Sequence, residues 1–329
     1  MPKIVRFHET GGADVLKIED LPLTQPGEGE VRLKVEAIGL NRAEVMFRQG
    51  QYLEAPELPS RLGYEASGII DAVGPGTGDI KIGDRVSTIP GFSMGKHGVY
   101  GESATVPSYA VARYPDNLSP TEGAAIWMQY LTAFGALINT GRLKEGDAVV
   151  ITAASSSVGL AAIQITKAAG ALAIAATRGA EKKQFLLDAG ADHVIVTNEE
   201  DLAETVMAIT AGKGAHLIFD PVAGPLLETL AEAAASGAMI LEYGALSPAP
   251  TIFPLLSALK KGLTVRGYTL FELVKDVDTL ARGKEYIYRG LGSGALKPLI
   301  DRTFALDAIV DAHRYMESNQ QKGKIVVTV

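Results

Sequence analysis

One segment of the chain has the residue types and spacing of a phosphate-binding loop. Residues 148–159 read as an apolar run, a turn of small residues and the start of a helical pattern. N–H groups at a helix start bind anions, and small residues let the backbone approach a pyrophosphate. Of the three fingerprint positions in G-x-G-x-x-G, only Gly159 is glycine. We expect a dinucleotide pyrophosphate to contact Ala154, Ser155, Ser156, Ser157, Val158 and Gly159. On the motif alone, a small-residue turn without a ligand remains the alternative.

The end of the next apolar run indicates which dinucleotide binds. Sheets that bind NAD usually place an acid about 20 residues after the loop, where it holds the ribose diol. Here residues 175–179 read Ala-Ala-Thr-Arg-Gly, and Lys182 and Lys183 follow. Arginine binds a 2′-phosphate through two parallel hydrogen bonds, and lysine adds a point charge. Arg178 and Lys182 therefore favour NADPH over NADH. The alternative is a solvated basic helix start, and Glu181 lies among these residues.

The second half of the chain alternates short apolar runs with helical stripes, a pattern that positions the loop. The apolar runs lie at residues 148–152, 171–176, 193–196, 217–219, 238–243 and 263–265. Between the first two, Val158, Ala162, Ile165 and Ala169 follow the spacing of a helix that packs one face on a sheet. Buried strands alternating with amphipathic helices are typical of a doubly wound parallel sheet. We predict a Rossmann-type α/β domain over residues 123–269.

The first 120 residues have a different pattern. Val31–Ile38 alternates apolar and charged residues, which predicts a half-buried strand, and glycine and proline punctuate the rest. A helix start at Ser119–Glu122 ends this region. Residues 270–329 contain helices and strand-like runs but are too few for a separate core. We predict a β-rich domain over residues 1–122, completed by residues 270–329.

The composition excludes several classes of protein. The 329 residues include no cysteine, 31 basic and 38 acidic residues, and the net charge is −7. The lack of cysteine excludes a disulfide framework, a thiolate zinc site, an iron–sulfur cluster and a cysteine nucleophile. The negative charge disfavours a broad nucleic-acid surface. There is no apolar run of about 18 residues for a membrane span and no signal peptide pattern, so we expect a cytoplasmic protein with no membrane partner.

Six motifs occur in a fixed order along nearly the whole chain. They are Gly39–Asn41, Leu62–Gly68, Ile82–Val86, Leu131–Phe134, Ala153–Ile165 and Gly323–Val326. Together they resemble the medium-chain dehydrogenase/reductase superfamily and, within it, the zinc-independent quinone oxidoreductase (zeta-crystallin-like) family. The resemblance implies a GroES-like catalytic domain, an inserted Rossmann domain and a cofactor cleft between them. It also implies a homodimer joined at the edge strand near Leu263–Tyr268.

The same resemblance bears on metal binding and on the reaction. Zinc-dependent relatives hold catalytic zinc at positions that match Asn41, Tyr64 and Met128, and their structural zinc lobe has four cysteines. Zinc prefers thiolate, imidazole or carboxylate, so we expect no metal here. Without a Lewis acid, the acceptor needs conjugation to spread the charge that hydride addition creates. The implied reaction is hydride transfer from NADPH to a quinone or an α,β-unsaturated carbonyl compound.

The resemblance also assigns site residues. Asn41 is implied to hydrogen-bond the nicotinamide ribose or the substrate oxygen, and Tyr52 and Tyr64 to bind or protonate the developing oxyanion. Packing tyrosines with tethered hydroxyls are the alternative. Further cofactor positions are implied at Gln129, Thr132, Thr177, Arg178, Lys182, Thr197, Asp220, Val222, Tyr243, Gly244 and Ala245. Thr197 and Asn319 stand where some NADPH-using relatives have a tyrosine and an arginine for the 2′-phosphate, and Met46 replaces an aromatic residue.

Two other functions compete with this interpretation. Some zeta-crystallin relatives are dinucleotide-binding proteins with a structural or RNA-binding role, but the negative charge and the lack of a basic–aromatic face disfavour RNA. A zinc-type alcohol dehydrogenase is disfavoured because the ligands are missing. The histidines form neither a metal-ligand pattern nor a Ser-His-Asp spacing; they are His8, His97, His193, His216 and His313.

Overall fold

The computed structural model describes residues 1–329 and divides them into two compact units. The first unit comprises Met1–Met128 and Pro298–Val329, and the second comprises Gln129–Lys297. The first unit therefore contains both a long N-terminal segment and a short C-terminal one.

Fifteen strands and twelve helices make up the two units. The strands are β1 Lys3–Phe7, β2 Leu16–Asp20, β3 Glu30–Gly39, β4 Glu65–Val73, β5 Arg85–Thr88, β6 Ser103–Pro107, β7 Val111–Arg113, β8 Ala148–Ile151, β9 Leu172–Thr177, β10 His193–Val196, β11 Ala215–Asp220, β12 Ala234–Glu242, β13 Thr264–Gly267, β14 Ile300–Ala305 and β15 Lys324–Thr328. The α-helices are α1 Arg42–Arg48, α2 Met94–His97, α3 Pro120–Gly123, α4 Trp127–Ala133, α5 Ser157–Ala168, α6 Lys183–Asp188, α7 Leu202–Ile209, α8 Leu226–Ala233, α9 Leu255–Lys261, α10 Leu270–Val274, α11 Val277–Ser293 and α12 Ile309–Glu317. A π-helical turn, Phe134–Thr140, follows α4 directly.

The first unit is built around a seven-stranded sheet. Its strand order is β14-β15-β3-β4-β5-β7, and β6 pairs with the other half of β3. All pairings are antiparallel except that of β14 with β15. Val31, Leu33 and Val35 of β3 are almost completely buried, as the alternating pattern predicts. Because β15 pairs with β3, the end of the chain completes a sheet that its beginning starts.

The second unit is a six-stranded, wholly parallel sheet with the order β10-β9-β8-β11-β12-β13. This is the doubly wound dinucleotide-binding order, and the strand order reverses between β8 and β11. The central strand β8 is apolar throughout because both of its faces are covered. Ligands of such sheets bind at the carboxyl ends of the strands beside the reversal. The predicted α/β class and all six predicted strands are confirmed.

The helical stripes of the second unit pack as the sequence predicts. Leu202 and Val206 of α7 and Leu227 and Leu230 of α8 are buried in one apolar cluster. That cluster also contains Ile218 of β11 and the buried residues of neighbouring strands. Amphipathic helices are thus held to the sheet by the apolar face that their spacing defines.

The boundary between the units differs from the predicted one. Residues 270–297, expected to complete the first domain, belong to the second unit. Helix α11 packs there: the Tyr286 and Phe134 rings lie 5.0 Å apart, and Gly283 lies against Leu131 and Phe134. An apolar stripe shows that a helix packs on something but not which element it packs on. The packing of α11 on Phe134 and Leu131 therefore could not be predicted from the sequence. No helix in the chain is both long enough and apolar enough to cross a membrane.

Candidate active site

The phosphate loop joins the central strand β8 to helix α5. Ser156 is the N-cap of α5, and its Oγ accepts a hydrogen bond of 3.0 Å from the Gly159 N–H. The cap satisfies one of the four N–H groups that lack a carbonyl partner in the first turn of a helix. Ala153 has a φ of +44°, in the left-handed region, so the chain turns sharply before the helix. The remaining N–H groups of this turn can bind an anion.

Gly159 is required by the packing of this loop. A Cβ at position 159 would lie 2.5 Å from the Ala154 carbonyl oxygen and 2.7 Å from its carbonyl carbon. These are backbone atoms of the loop itself, so no side-chain rotation would relieve the contact. The third fingerprint position therefore keeps its glycine for steric reasons, while Ala154 and Ser156 occupy the other two positions without glycine.

Lys182 reaches the phosphate loop. Its Nζ lies 3.0 Å from Ser155 Oγ, and both side chains are almost completely buried. Arg178, at the end of β9, is exposed. Thr177 and Thr197 join the ends of β9 and β10, since the Thr197 N–H donates to the Thr177 carbonyl at 2.8 Å. The structure thus brings Lys182 to the loop and leaves Arg178 free to reach a ligand from solvent.

Glu181 lies among the basic residues that follow β9. Its carboxylate folds back over Gly179, where a Cβ would lie 2.0 Å from Oε2. The lack of a side chain at Gly179 therefore leaves space for the Glu181 carboxylate, next to Arg178 in the sequence. A negative charge here would disfavour a phosphate group bound at this point.

The carboxyl ends of β8, β11 and β12 bring polar residues together. Thr152 Oγ1 donates to Asp220 Oδ1, and the Ala223 N–H donates to Asp220 Oδ2 at 2.6 Å. Glu242 is the strand partner of Asp220, and its buried oxygens have no hydrogen-bond partner of good geometry. Burial and the neighbouring Asp220 carboxylate raise the pKa of Glu242 well above its ordinary value. Sequence reasoning missed Glu242, although an acid that ends an apolar strand is a visible signal.

Several other implied cofactor positions lie at the same edge of the second unit. Tyr243 stacks on Phe219 with ring centroids 4.0 Å apart, and its buried hydroxyl lies near Ser156. Gly244 passes close to the Pro221 backbone, the Val222 carbonyl accepts from the Ser247 N–H, and Ala245 is exposed.

Gln129 and Thr132 lie on helix α4, and both are almost completely buried. The Gln129 Oε1 has no hydrogen-bond partner. An unpaired buried amide oxygen is costly, so a partner from a bound ligand would stabilise it. This atom could accept a hydrogen bond at the implied cofactor position.

Tyr52 and Tyr64 form a pair in the first unit. Their ring centroids are 6.4 Å apart in an edge-on arrangement, and their hydroxyls are hydrogen-bonded. Burial raises the pKa of Tyr52 to about 12, while the hydrogen bond to Tyr64 lowers it. Burial and the neighbouring Tyr52 raise the pKa of Tyr64 further. Both phenols are therefore protonated at neutral pH and able to donate a hydrogen bond.

Asn41 belongs to a buried polar network that the sequence did not predict. Lys324 Nζ donates to Asn41 Oδ1 at 2.6 Å and to Glu65 Oε2 at 2.5 Å. The Asn41 backbone N–H donates to Glu44 Oε2, and the Tyr64 N–H donates to Glu44 Oε1 at 3.2 Å. We call Asn41, Glu44, Glu65 and Lys324 the Lys324 network. Burial raises the pKa of Glu44 to about 7, although Lys324 and the hydrogen bonds lower it.

Only part of the Lys324 network can be predicted from the sequence. The Asn-x-x-Glu spacing of Asn41 and Glu44 is a readable capping box, and the structure forms it at the start of α1. Glu65 and Lys324 both stand in the quoted motifs, but they are 259 residues apart in sequence. No local sequence pattern predicts an ion pair between residues so far apart in the chain.

The three positions at which zinc relatives carry metal ligands do not fit zinc here. Asn41 supplies an amide that is bonded to Lys324, Tyr64 a phenol and Met128 a thioether. None is a thiolate, imidazole or carboxylate. No group of three or more His, Cys, Asp or Glu side chains in the chain is arranged to hold a metal ion. Asn319, where some relatives have an arginine, turns its amide back to the Glu317 carbonyl at 3.1 Å.

Comparison with known proteins defines the class of this fold. A family model described as alcohol dehydrogenase GroES-like domain matches residues 27–116, and one described as zinc-binding dehydrogenase matches residues 157–282. The chain thus has the GroES-like domain and the parallel nucleotide-binding sheet of a medium-chain dehydrogenase/reductase.

Individual relatives identify the family within this superfamily. The chain is 30% identical to a synaptic vesicle membrane protein VAT-1 homolog of Rattus norvegicus, over 96% of this chain and 81% of the relative. It is 31% identical to the quinone oxidoreductase of Homo sapiens, over 99% and 97%. A crystal structure of Escherichia coli quinone oxidoreductase complexed with NADPH superposes with a TM-score of 0.93 at 30% identity, over 99% of this chain and 100% of that one. The chain belongs to the zinc-independent quinone oxidoreductase family.

Proposed function

We propose that this protein transfers hydride from NADPH to a quinone or to an α,β-unsaturated carbonyl compound, without zinc. The observation that carries the proposal is Lys182 on the phosphate loop, at the strand-order reversal of a parallel sheet. Support comes from the relatives: two are quinone oxidoreductases, and one of these is complexed with NADPH. The donor set at the zinc positions supports a metal-free reaction.

The residues of the second unit have distinct roles in this proposal. The first turn of α5, capped by Ser156, binds the pyrophosphate through backbone N–H groups. Lys182 and Arg178 supply positive charge for the 2′-phosphate. The unpaired Gln129 Oε1 accepts a hydrogen bond from the nicotinamide end. Asp220 stays bonded to Thr152 and Ala223 and so fixes the loop after β11.

The residues of the first unit donate hydrogen bonds to the oxygen that gains charge and to the cofactor. When bound, NADPH supplies the hydride from its nicotinamide C4. Tyr52 keeps the proton on its hydroxyl, because burial raises its pKa to about 12, and donates a hydrogen bond to the oxygen that gains charge, while the proton that completes the reduction comes from solvent. Tyr64 orients the Tyr52 hydroxyl through their hydrogen bond. Asn41 donates from its amide to a ribose or substrate oxygen.

A panel of acceptors tests the proposal. Oxidation of NADPH at 340 nm is followed with quinones, 2-alkenals and cyclic enones, with NADH in parallel. We expect turnover with NADPH and at least one conjugated acceptor, unchanged by a metal chelator. Inactivity towards every acceptor, or loss of activity on chelation, contradicts the proposal.

A pair of variants tests the cofactor assignment. Arg178→Ala combined with Lys182→Ala removes both charges proposed for the 2′-phosphate. We expect the Kd of NADPH to rise at least about 100-fold, since two charge-assisted hydrogen bonds of about 1.5–3 kcal/mol each are lost and about 1.4 kcal/mol is tenfold. The Kd of NADH should change far less. Lys183→Ala is the matched control, because the Lys183 ammonium lies 3.7 Å from Glu200. Equal losses for the two cofactors contradict the assignment.

We also propose a homodimer joined at the second unit. Strand β13 is the unpaired edge of the parallel sheet, and helix α9, which precedes it, exposes Leu255, Leu256 and Leu259. Ile252 and Phe253 extend this apolar surface, and Leu256 is 81% exposed. Exposed apolar patches and free strand edges both favour association. Location in the cytoplasm and the absence of a nucleic-acid partner stay predictions from the sequence.

The mass in solution tests the dimer. Light scattering after gel filtration should give twice the chain mass of 34.6 kDa. Leu256→Glu with Leu259→Glu should give a folded monomer that still binds NADPH. Val277→Glu is the matched control, because Val277 is equally exposed but lies on α11. A wild-type monomer, or a dimer that survives the double change, contradicts this interface.

A further inference from the structure

Lys324 is a buried lysine of the first unit. Its side chain and that of Glu65 are completely buried, and their charged atoms lie 2.5 Å apart. Removing two charges from water is costly, and a buried pair is often no more stabilising than an apolar one. Stability alone therefore does not account for this pair, and its position in the unit needs a separate explanation.

The Glu65 carboxylate joins three distant segments. One oxygen accepts hydrogen bonds of 2.9 Å from the backbone N–H groups of Trp127 and Met128, at the first turn of helix α4. The other oxygen accepts from Lys324 on β15 and faces the Asn41 amide at 3.4 Å. Asn41, Tyr64 and Met128 are the positions at which zinc relatives carry ligands. The Lys324 ammonium is thus the cation beside these positions in this chain.

Lys324 also decides which way the Asn41 amide points. An ammonium group has three donors and no acceptor, so it can bond only to the amide oxygen. Asn41 Oδ1 must therefore face Lys324, and Nδ2 must face the other way. The two hydrogens of Nδ2 have three acceptors within reach: the Gly39 carbonyl at 3.1 Å, Glu44 at 3.2 Å and Glu65 at 3.4 Å. The longest of these contacts can be exchanged for a ligand oxygen.

We propose that Lys324 is a positioning residue for hydride transfer, which fixes Asn41 as a hydrogen-bond donor and polarises its amide. A positive charge on the amide oxygen draws electron density from the nitrogen and strengthens the N–H as a donor. The ligand atom bound by Asn41 is then an acceptor oxygen, of the cofactor ribose or of the carbonyl being reduced. This inference rests on the proposed function, and it assigns to an ammonium the electrostatic role that a metal has in zinc relatives.

The test needs a variant that folds. Lys324→Met alone strands the buried Glu65 carboxylate without a partner, which is strongly destabilising. Glu65→Gln combined with Lys324→Met removes both charges and keeps similar volumes. The amide oxygen of the introduced glutamine can still accept from the Trp127 and Met128 N–H groups. The matched control is Asp192→Asn with Lys167→Met, because the Lys167–Asp192 pair has a similar distance of 2.6 Å and lies in the second unit.

The first measurement needs no ligand. Side-chain amide signals are recorded in ¹H–¹⁵N spectra, and the Asn41 pair is assigned by its loss in Asn41→Ala. We expect the Asn41 amide protons to move upfield in the double variant, because the ammonium no longer polarises the amide. The control variant should leave them in place. Unchanged Asn41 signals in the double variant overturn the proposal, whatever the protein reduces.

The second measurement is a double-mutant cycle. In the wild-type background, Asn41→Ala should raise the NADPH Kd or lower kcat about tenfold, the effect of one hydrogen bond. In the Glu65→Gln, Lys324→Met background it should have less than about a twofold effect, because the amide is no longer held. Additive losses in both quantities overturn the role of Lys324. A wild-type protein that binds no NADPH contradicts the proposed function, and the amide spectrum then still decides whether Lys324 polarises Asn41.

Discussion

Substitution of Gly159 by alanine should damage the phosphate loop, although alanine is the better helix former. In an ordinary helix interior, this change gains about 1 kcal/mol of stability. At position 159 the new Cβ would lie 2.5 Å from the Ala154 carbonyl oxygen and 2.7 Å from two further backbone atoms of Ala154. Normal contacts are about 3.5 Å or more, so the loop must move by up to about 1 Å.

The magnitude follows from these two opposing effects. Overpacking of a well-packed site costs about 1–3 kcal/mol, which exceeds the helix-propensity gain. A net loss of about 1–2 kcal/mol lowers Tm by roughly 2–8 °C for a unit of this size. Because the loop backbone itself shifts, the pyrophosphate contacts are lost as well. We expect the NADPH Kd to rise at least about tenfold.

Thermal unfolding and a fluorescence titration with NADPH measure both effects. Gly292→Ala is the matched control, because Gly292 also lies in a helix, α11, and a Cβ there would meet nothing within 4 Å. The control should gain up to about 1 kcal/mol of stability and bind NADPH normally. A Gly159→Ala protein with wild-type Tm and wild-type affinity would refute the steric reasoning and the loop assignment together.

Three further predictions concern single side chains. Tyr52→Phe should lower kcat about 100-fold with the NADPH Kd unchanged, because it removes a hydrogen-bond donor to the developing oxyanion; an unchanged kcat would reject this role. Ser156→Ala should cost about 1 kcal/mol in thermal unfolding, because the Gly159 N–H loses its cap, and wild-type stability would contradict the cap. Glu242→Gln should stabilise the protein increasingly as pH rises above 5. In the wild type the folded state holds a proton on Glu242 that the unfolded state releases above its ordinary pKa of 4.5, so stability falls by at most about 1.4 kcal/mol per pH unit, and by less since the residue is partly exposed. A stability difference that does not grow with pH in urea titrations would reject the Glu242 assignment.

What the sequence predicts well is local or periodic. The β8–loop–α5 segment and the six strands of the parallel sheet are set by neighbouring residues and by repeats of two or 3.6 residues. The motif resemblance then supplies the family and the positions of Asn41, Tyr52 and Tyr64, but not their hydrogen bonds.

What the sequence does not predict depends on contacts between distant segments. Lys324 reads as one lysine in a closing motif, and only the sheet brings it to Glu65 and Asn41. The second unit ends at residue 297 and not at 269, because helix α11 packs on that unit. The apolar spacing of α11 does not indicate which element it packs against. Glu242 reads as the end of a strand, and only the register with Asp220 places two acids side by side. In each case the decisive contact is between residues that are far apart in the sequence and are brought together only by the fold.

The pairing of β15 with β3 also sets the order in which the protein can assemble during translation. Residues 129–297 are contiguous and can fold as soon as they have left the ribosome. The first unit, although synthesised first, lacks β14, β15 and the cation for Glu65 until the last segment is made. The 259 residues between Glu65 and Lys324 take roughly 10–50 s to synthesise at about 5–20 residues per second. Throughout that interval β3 lacks its β15 partner and Glu65 lacks its cation, so the first unit can complete its sheet only after the last segment is synthesised.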